Sequence, residues 1–198
     1  MNKLSRYILY IFYLTRGYFS IGFKKYVKLG IYKSIKIYRQ ATNPKHHKSN
    51  YAFCIAPPFS GSTLLTSVIE TSASISTNNP IGTKEGQQLP ELYDNYFGET
   101  HINENFDHNW SKVKIVFEKY WNLNKKVLYD KSPSNIAWAH EIVNHFQPIS
   151  FILLIREPYA LTHSYMTRSG WKADKAADFT LRVFKLQLEN LQLKNSLL

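Results

Sequence analysis

From Tyr51 to Leu65 the chain reads YAFCIAPPFSGSTLL, and the residues able to do chemistry fall in its second half. The turn from Pro57 to Thr63 offers a run of backbone N–H groups. Gly61 leaves them open to close approach, and the Ser62 and Thr63 hydroxyls add two donors. Such a set suits a phosphate or another anion, and the positive end of a helix starting there adds to the attraction. Ser60, Gly61, Ser62, Thr63 and Leu64 are therefore the candidate anion contacts. A Walker A loop ends in Gly-Lys-(Ser/Thr). Here Ser62 stands in the lysine position, which weakens a nucleoside-triphosphatase reading at its most chemical residue. A capped helix start with no ligand has the same local composition.

Two further groups sit where short apolar runs end. Lys131 follows Lys126-Val127-Leu128-Tyr129-Asp130, and Arg156 follows ISFILLI (149–155), with Ser164 eight residues on. Taken singly, they read equally well as a surface lysine, a structural ion pair and a helix hydroxyl bonded to its own backbone. The single cysteine, Cys54, lies in the first apolar run; it excludes an intrachain disulfide and reads as a small buried hydrophobe, suited to a reducing compartment. The seven histidines make no ligand-like pair on one helix face, so no metal is assigned.

The elements that must hold these groups follow from periodicity. Tyr51 to Ala56 is a strand, and Leu64, Leu65, Val68 and Ile69 have the spacing of the helix after the turn. Residues 72–88 are polar, contain Gly82 and Gly86, and read as a long surface loop in a place where substrate chemistry is common. The aromatics from Trp110 to Trp121 give an amphipathic helix over 108–121 whose rings are core. A strand at 126–130, a helix capped by Ser134, a doubly buried strand at 149–155, a helix entered through Pro158 and a last helix opened by Asp174 complete the series. Strands alternating with helices predict an α/β fold, a P-loop-type three-layer sandwich with a central parallel sheet and its sites at the carboxyl ends of strands.

The net charge of +11 is not shared evenly. Residues 1–50 hold eleven Lys and Arg and no acidic residue, while residues 51–198 hold fourteen of each sign. The neutral main body gives no reason to expect nucleic acid as a partner. Residues 1–41 form a basic, aromatic, helical N-terminal extension, 42–50 a linker and 51–198 the main domain. The apolar run YILYIFYL (7–14) is too short to cross a bilayer, which takes about 20 residues. Tyrosines and phenylalanines interleaved with Lys and Arg suit a segment lying on an anionic membrane surface, or a basic helix packed on a partner. The expected location is cytoplasmic, peripheral on the inner membrane face.

Taken together, the motifs resemble those of the sulfotransferases that use 3′-phosphoadenosine 5′-phosphosulfate (PAPS). Pro58-Phe59-Ser60-Gly61-Ser62-Thr63 is similar to the family's 5′-phosphosulfate loop, and Arg156-Glu157-Pro158 with Ser164 to its 3′-phosphate motif. Asp130-Lys131-Ser132-Pro133 looks like a stretch of the carbohydrate and tyrosylprotein branches. The resemblance covers roughly Tyr51 to Trp171. It implies a sulfuryl transfer from PAPS to a hydroxyl of a glycan or a small acceptor. Loop amides with Ser62 and Thr63 would hold the 5′-phosphate, Arg156 and Ser164 the 3′-phosphate, Lys131 would stabilise charge on the leaving phosphate, and Glu85 would be the base, ahead of His101 and His108.

Two departures qualify the resemblance. Phe59 stands where many members carry Lys or Arg, which bears on turnover more than on binding. The chain also ends at Leu198 inside helical spacing, where members continue, so a C-terminally truncated copy is expected. A P-loop kinase or NTPase, and a non-catalytic nucleotide-binding remnant, are the competing readings.

Overall fold

The computed structural model describes residues 21–93, 102, 109–194 and 196–197. The apolar run 7–14, His101 and His108 lie outside the described residues. The chain divides into two compact units, Met1–Tyr38 and Arg39–Leu198. Helix α1 (Ile21–Thr42) is basic throughout, with no acidic residue in its length. Its Tyr26, Leu29, Lys33 and Ile37, spaced three and four apart, are all exposed.

The second unit is built on five parallel strands in the order β2-β3-β1-β4-β5. They are β1 (Asn50–Ile55), β2 (Ile75–Thr77), β3 (Val127–Lys131), β4 (Ile149–Leu153) and β5 (Ser196–Leu197). Phe53, Cys54 and Ile55 of the middle strand are inaccessible to solvent, as expected for a strand covered on both faces. Burial pushes the Cys54 thiol up to about 12, so it behaves as the predicted inert hydrophobe. Around them, among the described residues, run helices α2 (Ser62–Ile69), α3 (Trp110–Tyr120), α4 (Asn135–His145), α5 (Pro158–Ser169) and α6 (Ala173–Asn190). Single helical turns at Gly86–Gln88 and Pro90–Leu92 lie between β2 and α3.

The strand order matters for function. From β1 the chain reaches β3 on one side and β4 on the other, so the carboxyl end of β1 is a topological switch point. The turn after β1, Lys131 at the end of β3 and Arg156 just past β4 are thereby brought to one crevice. Side-chain amides fix the strand ends. Asn135 Nδ2 donates to Asp130 Oδ2 (2.9 Å), and Gln187 Nε2 from α6 donates to the carbonyls of Ile55 (3.0 Å) and Leu154 (3.2 Å).

Several expectations change. Helix α2 turns Ser62 and Thr66 inward, with Leu65 and Ile69 against the Cys54, Ala56 and Tyr129 cluster, and leaves Leu64 and Val68 mostly exposed. Thr66 Oγ1 meets the Tyr129 hydroxyl at 3.3 Å, so a polar contact occupies part of the inner face of this apolar-spaced helix. Ser134 stands at the N-cap of α4, but its hydroxyl caps no helix amide. Ser196 and Leu197 pair with β4 as β5 instead of extending a helix, with Phe151 opposite Ser196 and Ile152 opposite Leu197. Residues 42–50 are stitched to the region before β3. Asn43 Nδ2 donates to the Trp121 carbonyl (2.9 Å) and Ser49 Oγ to the Lys125 carbonyl (2.6 Å).

The largest change concerns the loop at 72–88. It contains β2, and its later part is buried: Asn78, Asn79, Glu85, Gly86 and Gln87 are all shielded from solvent. Asp130, itself fully buried, accepts from Asn78 Nδ2 (2.8 Å), the Gly86 amide (3.1 Å) and Ser132 Oγ (3.3 Å) as well as from Asn135. The Gln87 amide donates to Ser132 Oγ (3.0 Å), and Gln87 Oε1 accepts from the Ser134 amide (3.2 Å). The loop is thus laced to the end of β3, which satisfies buried backbone groups on both sides.

Gly86 makes the approach possible, because a Cβ there would come within 2.6 Å of Asn78 Nδ2 and 2.8 Å of Phe117 Cε1 and would collide with Asp130 Oδ1. Gly86→Ala is therefore expected to cost about 1–3 kcal/mol through overpacking, read as a lower denaturant midpoint. An unchanged midpoint would show that the loop is not held against Asp130.

Candidate active site

A cavity of about 700 Å³ opens at the switch point. One side is the turn after β1, with Pro58, Phe59, Gly61, Ser62 and Thr63; beside it lie Thr83, Glu85, Gln88 and Lys131. Arg156 lines it from beyond β4, and the other wall is Tyr165, Arg168, Ser169, Trp171, Phe179 and Arg182 from α5, α6 and their connection.

The turn is shaped by its own groups. Ser60 donates from its amide (3.3 Å) and its hydroxyl (2.6 Å) to the Pro57 carbonyl, so this candidate contact serves to close the turn. Phe59 and Gly61 both have positive φ, 64° and 95°. Gly61 accepts that conformation without strain, whereas Phe59 is a bulky residue in it. The Leu64 amide donates to the Gly61 carbonyl (3.0 Å) as α2 begins, which removes it from the set available to a ligand. Among the described residues, no oxygen accepts from the amides of Gly61, Ser62 and Thr63. Three consecutive N–H groups at a helix N-terminus, bordering a cavity, make a candidate anion cradle.

Lys131 is the buried cation beside that cradle. Its ammonium, on a side chain 2% exposed, donates to Glu85 Oε1 (3.1 Å), the Thr83 carbonyl (2.7 Å) and Thr63 Oγ1 (3.3 Å). All three of its protons are used. Glu85 in turn accepts from Gln87 Nε2 (3.2 Å) and Gln88 Nε2 (3.1 Å) on its second oxygen, and Asn79 Nδ2 holds its carbonyl (2.7 Å). Glu85, expected on a surface loop, is instead one half of a buried ion pair, because the loop is laced inward through Asp130. Burial pushes the Asp130 carboxyl above the usual range, while donors from Asn135, Asn78 and Ser132 and the nearby Lys131 charge push it back.

Arg156 and Ser164 do not meet as a pair. Arg156 Nη1 donates to the Phe59 carbonyl, while the buried Ser164 hydroxyl donates to the Ala160 carbonyl one helical turn back (2.9 Å). Arg156 borders the cavity, and Ser164 is not among the described residues that line it. A helix serine with its hydroxyl committed to the turn below has little to offer a ligand.

Sequence reasoning missed the far wall. Phe59, Tyr165, Trp171 and Phe179 form a ring cluster: Tyr165 stacks on Trp171 (5.4 Å, 19°), and Phe179 meets both edge-on. The Tyr165 ring contacts Phe59 (5.4 Å) and its hydroxyl donates to the Pro58 carbonyl (3.2 Å), so the cluster also braces the turn. The Arg168 guanidinium lies 5.5 Å from the centre of the Phe59 ring. The only signal for this wall was the Gly170-Trp171-Lys172 connection after α5, which has no motif of its own.

Among solved structures, the chain is similar to the sulfotransferase domain from the Synechococcus PCC 7002 olefin synthase. The identity is 18% and the TM-score 0.44, over 78% of this chain and 67% of that one. No family model matches the sequence. No curated protein matches it either.

The Lys131–Glu85 pair yields a direct test. Replacing Glu85 with Leu leaves a buried ammonium without its counter-charge and is expected to destabilise by about 3–5 kcal/mol. The double variant Glu85→Leu with Lys131→Met is expected to recover much of that loss, seen as a large non-additive term in urea unfolding. Additive losses would mean the two charges are not coupled.

Proposed function

We propose that this chain is a sulfotransferase, moving a sulfuryl group from PAPS to a hydroxyl of a glycan or related acceptor. The observation that carries the reading is the convergence of three adjacent strand ends on one cavity, each with a group suited to a different part of such a donor. The fit is chemical as well as topological. Three amides without an acceptor stand beside a buried lysine, and a guanidinium is parked on a neutral carbonyl that an anion would outcompete.

PAPS, when bound, supplies the sulfuryl group and a phosphate leaving group. The amides of Gly61, Ser62 and Thr63, with the Thr63 hydroxyl, would hold the 5′ end, and Arg156 would leave the Phe59 carbonyl for the 3′-phosphate. Lys131 supplies positive charge where negative charge builds on the leaving oxygen. Glu85 is the one carboxylate among the described residues lining the cavity, so it is the residue to take the acceptor's proton. To do so it must give up Lys131, and the two roles are linked: as the ammonium turns toward a phosphate, the carboxylate is released as a base. Ser60 and Ser164 keep structural roles in this scheme.

The test is calorimetric binding of 3′-phosphoadenosine 5′-phosphate against ADP. The 3′-phosphate compound is expected to bind at least about tenfold tighter, roughly 1.4 kcal/mol. Arg156→Ala should erase that preference, and Glu85→Gln should keep binding while abolishing transfer. Equal affinity for ADP would favour the kinase reading, binding without transfer by wild type would favour the non-catalytic remnant, and binding of neither nucleotide would overturn the proposal.

We also propose that α1 rests on an anionic membrane surface. Support comes from the exposed row Tyr26, Leu29, Lys33 and Ile37 on a helix with no acidic residue. No described helix is long and apolar enough to cross a membrane. The full chain is expected to co-sediment with phosphatidylserine-containing vesicles at low salt, and to be released as salt rises, each Lys or Arg near the surface contributing about 1 kcal/mol. Equal recovery with uncharged vesicles would overturn it.

A further inference from the structure

Lys84 sits between the two loop residues that hold Lys131, which donates to the Thr83 carbonyl (2.7 Å) and to the Glu85 carboxylate (3.1 Å). It is a non-glycine residue with a φ of 61°, in the left-handed region, and Gly82 has a φ of 62°. Thr83 is thus bracketed by two left-handed residues. A lysine in that conformation is held there by its surroundings, and such positions gather where a fold fixes a functional group. Within the turn itself, the Lys84 amide donates to the Ile81 carbonyl (3.1 Å).

The side chain supplies the restraint. Lys84 Nζ donates to Glu70 Oε2, at the C-cap of α2, and to Ser67 Oγ (3.4 Å) in the last turn of that helix. The other Glu70 oxygen accepts from Thr77 Oγ1 (2.8 Å) at the end of β2. Both members of the pair are partly exposed, 21% for Lys84 and 26% for Glu70, so as a surface ion pair they add little to stability. Their place in the loop gives them another role. Downstream of Glu85 the loop is fixed by the Gly86 amide on Asp130 (3.1 Å), and upstream it is fixed by Lys84 on α2. Thr83 and Glu85 are therefore held between two anchors. The helix that begins at the candidate anion cradle ends at the upstream one.

We infer that Lys84 and Glu70 are positioning residues, a latch that keeps Thr83 and Glu85 on Lys131 and so sets the base in place while restraining the ammonium. This rests on the sulfotransferase reading for the roles of Glu85 and Lys131. With the latch open, Glu85 is held from one side only and Lys131 is less firmly engaged by the loop. Two consequences of opposite sign follow. The freed ammonium binds a donor phosphate more tightly, because less of the protein has it committed elsewhere, and the displaced carboxylate takes the acceptor's proton less well.

The experiment uses the full chain with Glu70→Gln, Lys84→Gly, Lys84→Arg, and the exchanged pair Glu70→Lys with Lys84→Glu. Glycine accepts the positive φ, so Lys84→Gly removes the latch without backbone strain. Glu70→Gln and Lys84→Gly change the charge in opposite directions, so an effect they share is not remote electrostatics. Both are expected to bind 3′-phosphoadenosine 5′-phosphate at least about threefold tighter. Both should also transfer from labelled PAPS to a neutral oligosaccharide with a kcat at least about tenfold lower. Acetic anhydride should modify Lys131 faster in both, while the buried Cys54 stays protected from a thiol reagent, which separates local opening from unfolding. Lys84→Arg and the exchanged pair should return all three readouts toward wild type. Parallel losses of binding and transfer, opposite effects of the two single variants, or unchanged Lys131 acetylation would each overturn the inference. If wild type binds the nucleotide but transfers nothing, affinity and acetylation decide. If it does neither, the donor reading fails, and the acetylation of Lys131, which depends on no ligand, decides the latch by itself.

Discussion

A carboxylate sealed from water organises the crevice. Asp130 is fully buried, a position that is expensive for a charge unless its lone pairs are met. They are met by four donors from three separate stretches: Asn78 and Gly86 from the long loop, Ser132 from the turn after β3, and Asn135 from the first turn of α4. None of those stretches can move without leaving the carboxylate short of a partner, and so a polar group that stabilises the fold only weakly by itself dictates where three connections lie. The absence of a side chain at Gly86 is the steric half of the same constraint.

Lys131 inherits its position from that arrangement. Successive residues of a strand face opposite ways, so Asp130 and Lys131 present unlike charges to different surroundings. The loop running alongside answers in kind, Gly86 against Asp130 and Glu85 against Lys131. The ammonium then joins the loop after β1 through Thr63. One unbroken chain of contacts therefore runs from the far loop, through the end of β3, to the anion cradle. A site preorganised this way places charge accurately, at the cost of occupying each charged group with a protein partner.

How much of this could be read from the residues differs by kind of interaction. The alternation of strands and helices, the turn after β1, and the strand-end positions of Lys131 and Arg156 were legible because they depend on local periodicity and on Pro, Gly and Ser chemistry. The β2 strand was not, since three residues with Ser and Thr leave no periodic signal. The inward loop was misread for a related reason: its burial comes from hydrogen bonds to Asp130 and Ser132, some 45 residues away, and a polar stretch that is laced inward has the composition of one that is solvated. The phase of α2 was set by the turn, and Leu64 and Val68 ended outside while Ser62 and Thr66 turned inward, Thr66 to a polar partner in Tyr129. Arg168 and Arg182 were invisible because helix packing, with no motif, brings them to the cavity.

Phe59 looks unfavourable at the site when only its lost charge is considered, and the structure gives it other work. Its positive φ places a carbonyl on Arg156 and a ring beneath Arg168, and Tyr165 packs against that ring while bonding the neighbouring Pro58 carbonyl. A lysine here would bring its own charge but would give up the aromatic surface on which the second guanidinium sits, and its ammonium would repel the two guanidiniums beside it. The cavity therefore keeps its positive charge on its walls and an apolar residue between them. Both guanidiniums then rest on neutral partners, a carbonyl and a π face, which hold them in place yet bind more weakly than a phosphate or carboxylate does. Cations parked in this way are restrained enough to be positioned and loosely enough to be exchanged, which is the property an anion-binding site requires.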